Sequence, residues 1–222
     1  MGVLKKVREL FEAIREMDFD TEDPQLEDFV SRCMVRYSTW FGPVTDPQCK
    51  MQVVLSHRTA CGWDPVLGGY DIFIDKGLKT SEERLAAVAH EVFHRVVWNS
   101  WLKYQLHLNE MLAFLTTQEL LRFEGFQHYA ENLENASIES DEILDPRALS
   151  EARPIRRFLE RTEYPEGFYP SVEVMGLKVR ALVGWPELCR LVRSSGPLVW
   201  LQGLPADQRR SVAKVMGLDH PD

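Results

Sequence analysis

The stretch "AAVAHEVFHRVVWNSW", residues 86–101, sets two histidines four positions apart with a glutamate directly after the first. On an α-helix, positions 90 and 94 lie about 40° apart around the axis and one turn apart along it, so both imidazoles can reach a single ion. Glu91 projects from a neighbouring part of the same face. This is the physical content of the HExxH pattern: two neutral ring nitrogens bind zinc, and the glutamate handles the proton of a water. The competing reading is a core helix with two hydrogen-bonded histidines, because Leu85, Val88, Ala89, Val92 and Val96 also recur at helical spacing. Thr80 and Ser81 can cap the helix, and Glu82 and Glu83 fall in its first turn, where the dipole favours anions. The spacing predicts a helix over about residues 82–101.

A hydrolytic zinc site takes three protein ligands and keeps a position for water. The third belongs on a following helix, after a connection long enough to turn back. "LNEMLAF" supplies Glu110, with fifteen residues between it and His94. Its helix, expected over about 106–123, buries Leu106, Ala113, Leu120 and Leu121, and Glu110 interrupts that apolar side. A carboxylate there is costly unless it is paired or metal-bound. A structural zinc stays open, although such sites usually close with four ligands and favour cysteine, and no cysteine stands near this helix pair in the sequence. His107 reads as a helix-surface or outer residue, and His57 as incidental.

Working outward, the 222 residues, 45% hydrophobic and 27% charged, suit one sizeable domain or two lobes sharing a cleft. "MGVLKKVRELFEAIREMDFD" reads as an amphipathic helix over residues 2–17, since charges interrupt what would be a secretory core. Lys6 stands where a myristoylation signal wants Ser or Thr. A second helix is expected over 25–38 and short strands over 50–58 and 70–77, with the turn-rich "TACGWDPVLGGY" between them. The acidic "AENLENASIESDEILDP" reads as a solvated linker or helix face and divides the chain into 1–145, a catalytic lobe, and 146–222, a helical lobe closing the cleft. Helical segments of the second part are broken by "YPEGFYP", "GWP", "SSGP" and "LP". The class is α+β, with a small mixed sheet.

Composition also excludes function classes. A net charge of −8 argues against nucleic acid, whose phosphates need clustered cations. No apolar run approaches the roughly 18 residues of a membrane span. Four cysteines without a CxxC pair read as reduced thiols, which points to the cytoplasm.

"HEVFHRVVWN…LNEMLAF" resembles the gluzincin metallopeptidases, whose thermolysin-like and aminopeptidase branches pair HExxH with a downstream glutamate. The aminopeptidase branch writes that second helix as NEGFA, against Asn109-Glu110-Met111-Leu112-Ala113 here. The likeness covers about residues 68–123 and implies a zincin-like catalytic core. It implies peptide-bond hydrolysis with zinc on His90, His94 and Glu110 and with Glu91 as general base. It further implies an oxyanion donor from the far lobe, for which Tyr164 and Tyr169 are the candidates, with His128 and Tyr129 as rivals. The strand over Tyr70, Asp71 and Ile72 would line the cleft and pair with an extended peptide or protein substrate. "GGYDI" does not carry the amino-terminus-binding GAMEN of the aminopeptidases, so an endopeptidase is expected, and a protein partner could present the target. Phe114 stands four residues after Glu110, where thermolysin-type enzymes place an aspartate that orients a zinc histidine, so another acceptor must fix the tautomers. Two readings from other classes remain: a silent gluzincin-like binding module, and a helical interaction protein whose HEVFH is accidental.

Overall fold

Helix capping, turn chemistry and one apolar stripe per helix account for most of the architecture. A computed structural model describes residues 24–42, 51–56, 59–64, 69–138, 143–151 and 164–218. In chain order these form α1 (Pro24–Phe41), β1 (Met51–Ser56), β2 (Ala60–Asp64), β3 (Gly69–Asp75) and α2 (Ser81–Val96). A short 3₁₀ turn (Trp101–Tyr104) leads to α3 (Leu106–Phe123), followed by α4 (Gln127–Ile138) and α5 (Pro146–Glu151). The chain continues through α6 (Phe168–Val183), α7 (Trp185–Arg193), α8 (Pro197–Gln202) and α9 (Ala206–Val215). The expected α+β class holds, and the helices outnumber the strands. No helix among the described residues is long and apolar enough to cross a membrane. The helix expected over 2–17 lies outside the described residues.

The sheet is mixed, with strand order β1-β3-β2. β1 runs parallel to β3, with Gln52 opposite Asp71 and Val53 opposite Ile72. β2 runs antiparallel on the other side, with Gly62 opposite Asp71 and Cys61 opposite Ile72. β2 occupies the segment read from sequence as turn. Gly62 and Asp64 are poor strand formers, and hydrogen bonding to β3 overrides that local preference.

α2 packs against α1, β3 and α3. Its start is a capping box: Thr80 Oγ1 accepts from the Glu83 backbone N–H, and the Glu83 carboxylate accepts from that of Thr80. It ends at Val96, short of the expected 101, where the chain turns through residues 97–100 into the 3₁₀ segment. α3 spans the expected range. The acidic stretch after it is helical through residue 138: α4 buries Ala130 and Ser137 and sets Glu134 between Arg122 of α3 and Arg180 of α6. One continuous apolar cluster joins Phe29 and Tyr37 of α1, Val92 and Phe93 of α2, Met111 and Leu115 of α3, Val172 and Val179 of α6, Leu188 of α7 and Trp200 of α8. At roughly 1.5–3 kcal/mol per fully buried large side chain, this cluster holds the helices in fixed register around the site described next. α6 approaches α3 closely because Gly176 has no side chain: a Cβ there would lie 2.9 Å from Met111 Cγ and 3.1 Å from Leu115 Cγ.

Candidate metal centre

The inward stripe of α2 (Val88, Ala89, Val92, Phe93, Val96) anchors the helix in the core and turns His90 and His94 along its flank. Tyr37, fully buried on α1, donates a hydrogen bond of 2.9 Å to the carbonyl of Ala89 and so pins the turn that carries His90. From α3, Glu110 reaches the same point, 7% exposed. Three atoms converge there. His90 Nε2 lies 3.0 Å from His94 Nε2 and 3.2 Å from Glu110 Oε2, and His94 Nε2 lies 3.5 Å from the same carboxylate oxygen.

These edges can be compared with an ion's requirement. Zinc bonds of roughly 2.0–2.1 Å in tetrahedral geometry put neighbouring donor atoms about 3.3–3.4 Å apart. The observed triangle is within a few tenths of an ångström of that. Two neutral imidazoles and a carboxylate are also a donor set zinc accepts with a coordination position to spare. Among the described residues these three form the one group of histidine, cysteine and carboxylate side chains able to share an ion.

The tautomer of His94 has a visible cause. Its Nδ1 lies 3.1 Å from Asn109 Oδ1, an acceptor, so in the neutral ring the proton belongs on Nδ1 and the lone pair on Nε2, facing the centre. Asn109 is thus an acceptor for His94, which Phe114 could not be. Without an ion, the converging acceptors favour a proton. Burial alone would lower the His94 pKa, but the charge and hydrogen bond of Glu110, helped by Glu91 and Asn109, push it up to about 9. Burial would likewise raise Glu110, and the two histidines overcome it and hold that carboxyl far below its usual range. A buried carboxylate beside two imidazoles is a donor set that suits a divalent metal.

Glu91 is 8% exposed, and its charge acts on His94 and on the hydroxyls of Tyr164 and Tyr169. Both tyrosines therefore share the neighbourhood of the triad. Tyr164 stacks on Phe168 with centroids 4.6 Å apart, and Tyr169 meets Tyr164 edge-on at 5.1 Å. Burial first, then the charges of Glu110 and Glu91, push the Tyr164 hydroxyl up to about 12. The Tyr169 hydroxyl is raised further, by burial and then by Glu110, Tyr164 and Glu91. Both stay protonated, as hydrogen-bond donors, across the neutral range.

Other candidates fall elsewhere. Tyr129 feels Glu83 and Glu82 at the opposite end of α2, and His128 is exposed, so neither rival joins the site. His107 is 2% exposed, buried and not on the helix surface, and it stands outside the three-atom cluster. His57 lies outside the described residues. The expectation that Tyr70, Asp71 and Ile72 form a substrate-pairing edge is overturned. β3 is the central strand, and its backbone is engaged by β1 on one side and β2 on the other. Ile72 is fully buried and Asp71 is 9% exposed, while the side chain of Tyr70 is outside the described set. Three residues with roles at this site were not singled out from sequence: Tyr37, Gly176 and Glu173, whose carboxyl on α6 acts electrostatically on His90. No protein-family model matches the chain, and no curated protein or solved structure shows significant similarity to it.

Proposed function

We propose that the chain is a zinc-dependent peptidase of gluzincin type that hydrolyses peptide bonds in an extended peptide or protein substrate. The observation that carries the reading is the convergence of His90 Nε2, His94 Nε2 and Glu110 Oε2 from two packed helices at 3.0, 3.2 and 3.5 Å. An accidental HExxH has no reason to meet a buried carboxylate from the next helix at metal-ligand spacing. The resemblance in the sequence and the placement of a mixed sheet directly before the HExxH helix support the same zincin-like core. Side chains of His90 and His94 keep 27% and 17% exposure, so the centre can be reached from solvent. Cys33 and Cys189 are free, buried thiols, which suits a reducing compartment inside the cell.

In this reading His90, His94 and Glu110 hold the zinc. When bound there, the ion would supply Lewis acidity, lowering the pKa of a water toward neutrality and polarising the scissile carbonyl. Glu91 takes the water's proton and returns it to the leaving amine. Tyr164 and Tyr169, still protonated, donate to the oxygen that gains charge in the transition state. Asn109 keeps His94 in the ligating tautomer. An extended substrate pairs with β2, an outer strand of the sheet among the described residues, and not with the enclosed β3.

The test is a peptide library digested by purified protein and read by mass spectrometry, beside metal analysis. Zinc near one equivalent, lost on His94→Ala, is expected. Glu91→Gln should keep the zinc and abolish cleavage. Zinc retained with no cleavage by either protein points to a binding module, and the absence of zinc sinks the reading altogether.

A further inference from the structure

A cleft opens where three parts of the fold meet. The end of α1 gives it Phe41, the connection from α2 to α3 gives Ser100 and Trp101, and the end of α7 with the turn after it gives Val192 to Ser195. These residues border about 390 Å³, a volume that suits a small molecule. Local hydrogen bonds stiffen the walls. Ser100 Oγ donates to the Val97 carbonyl at 2.7 Å and accepts from the Leu102 backbone N–H at 3.2 Å, which fixes the start of the 3₁₀ turn. Ser194 Oγ donates to the Leu191 carbonyl at 2.7 Å and accepts from the Gly196 backbone N–H at 3.3 Å. Arg193 Nε donates to the Cys189 carbonyl at 3.1 Å, so the last turn of α7 holds the guanidinium. The floor is apolar and buried: Phe41 packs edge-on against Phe93 of α2 and Trp185 of α7, and Val192 lies beneath the surface.

With those bonds made, the polar groups that remain to a ligand are donors. The Trp101 Nε1–H is buried and meets no acceptor. Buried indoles usually find one, and an orphaned N–H costs about 1–3 kcal/mol. A guanidinium held through Nε presents Nη1 and Nη2, a planar pair that matches a carboxylate. Among the described residues that line the cleft Arg193 is the ionised one, in a chain whose net charge is −8. A bare inorganic anion would leave the rings of Trp101 and Phe41 uncovered. A neutral apolar molecule would leave the donors unanswered. An acid group on an apolar body satisfies both.

We propose that this cleft binds a small monocarboxylate with an aromatic or branched apolar body, the carboxylate on Arg193 and the Trp101 N–H and the body against the Trp101 ring over Phe41 and Val192. A free organic acid and the carboxy-terminal residue of a peptide share that chemistry. None of His90, His94 and Glu110 lines the cleft. The site therefore stands or falls independently of the peptidase reading.

The experiment titrates the full chain by calorimetry with 4-phenylbutyrate and indole-3-acetate, as free acids, and with N-acetylphenylalanine, as a peptide carboxy terminus. Each is measured beside its primary amide. At least one acid should bind saturably, and its amide about tenfold or more weakly. Tightest binding of N-acetylphenylalanine assigns the peptide terminus, and tightest binding of either other acid assigns a free acid. Arg193 is exposed, so Arg193→Gln should fold and should bind acid and amide alike. The chain has six tryptophans, and in spectra of the ¹⁵N-labelled indoles the bound acid should move the Trp101 N–H resonance, with the others reporting that the fold is kept. The proposal is overturned if no acid binds, if the amides bind as well as the acids, if Arg193→Gln still prefers the acid, or if the Trp101 resonance stays in place on binding.

Discussion

Replacing Asn109 by leucine tests the proposed metal centre without touching His90, His94 or Glu110. Asn109 Oδ1 lies 3.1 Å from His94 Nδ1 and favours the neutral tautomer whose Nε2 lone pair faces His90 and Glu110. Leucine has similar bulk and better helix propensity at a position inside α3, so the fold should be kept. It accepts no hydrogen bond. His94 can then place its proton on Nε2, and zinc must displace that tautomer and hold a ring no longer oriented. Loss of such an outer partner typically costs 10–100-fold in metal affinity, which is about 1.4–2.7 kcal/mol. Zinc affinity measured by competition with a chromophoric chelator reads this directly, with circular dichroism of the zinc-free protein as the control for folding. Asn109→Asp keeps an acceptor and adds charge, so it should bind zinc at least as tightly as the unaltered chain. Affinity for Asn109→Leu within threefold of the original, with secondary structure intact, would refute the role given to Asn109.

Two further outcomes are expected from the packing and charge of the fold. In the zinc-free protein the raised His94 pKa contributes stability that is fully present below its unfolded value near 6.5 and is lost as pH rises through about 9, whereas the lowered Glu110 pKa contributes stability above its unfolded value near 4.5 and loses it on acidification. Denaturant titrations should therefore show zinc-free stability falling between pH 6.5 and 9, a slope that His94→Ala removes and that zinc, which competes with the proton, opposes. Gly217→Ala should destabilise by about 2 kcal/mol or more, because Gly217 sits at φ +63° and an added Cβ would lie 2.6 Å from the Pro146 carbonyl carbon and oxygen. A change below about 0.5 kcal/mol in chemical denaturation would contradict that packing.

The site was legible in part because part of it is local. His90 and His94 are held together by helix pitch alone, and any sequence that makes α2 helical puts them on one flank. The limits of α3 were also legible, since apolar residues recur through "LHLNEMLAFLTTQELLRF" and a Gly follows shortly after. Glu110 could be picked out as an acid on an apolar face. β2 was hidden because its Gly62 and Asp64 carry turn chemistry and only pairing with β3 makes them a strand. That pairing in turn encloses Tyr70, Asp71 and Ile72, where the family resemblance implied a substrate-pairing edge. Asn109 was visible as a letter beside Glu110, but its task depends on the rotation of α3 against α2.

The sequence by itself determined α1, α2 and α3 to within a few residues, the α+β class and the one-turn spacing of two histidines around a glutamate, because pitch, capping and apolar periodicity act over a few residues. Tertiary structure decided that Glu110 meets those histidines at ligand distance, that Asn109 orients one of them, and that Tyr164, Tyr169 and Glu173 gather beside them. Those juxtapositions depend on how α2, α3 and α6 seat against one another, through contacts such as Gly176 on Met111 and Tyr37 on Ala89. Close packing between residues distant in the chain fixes them, and no local pattern encodes it.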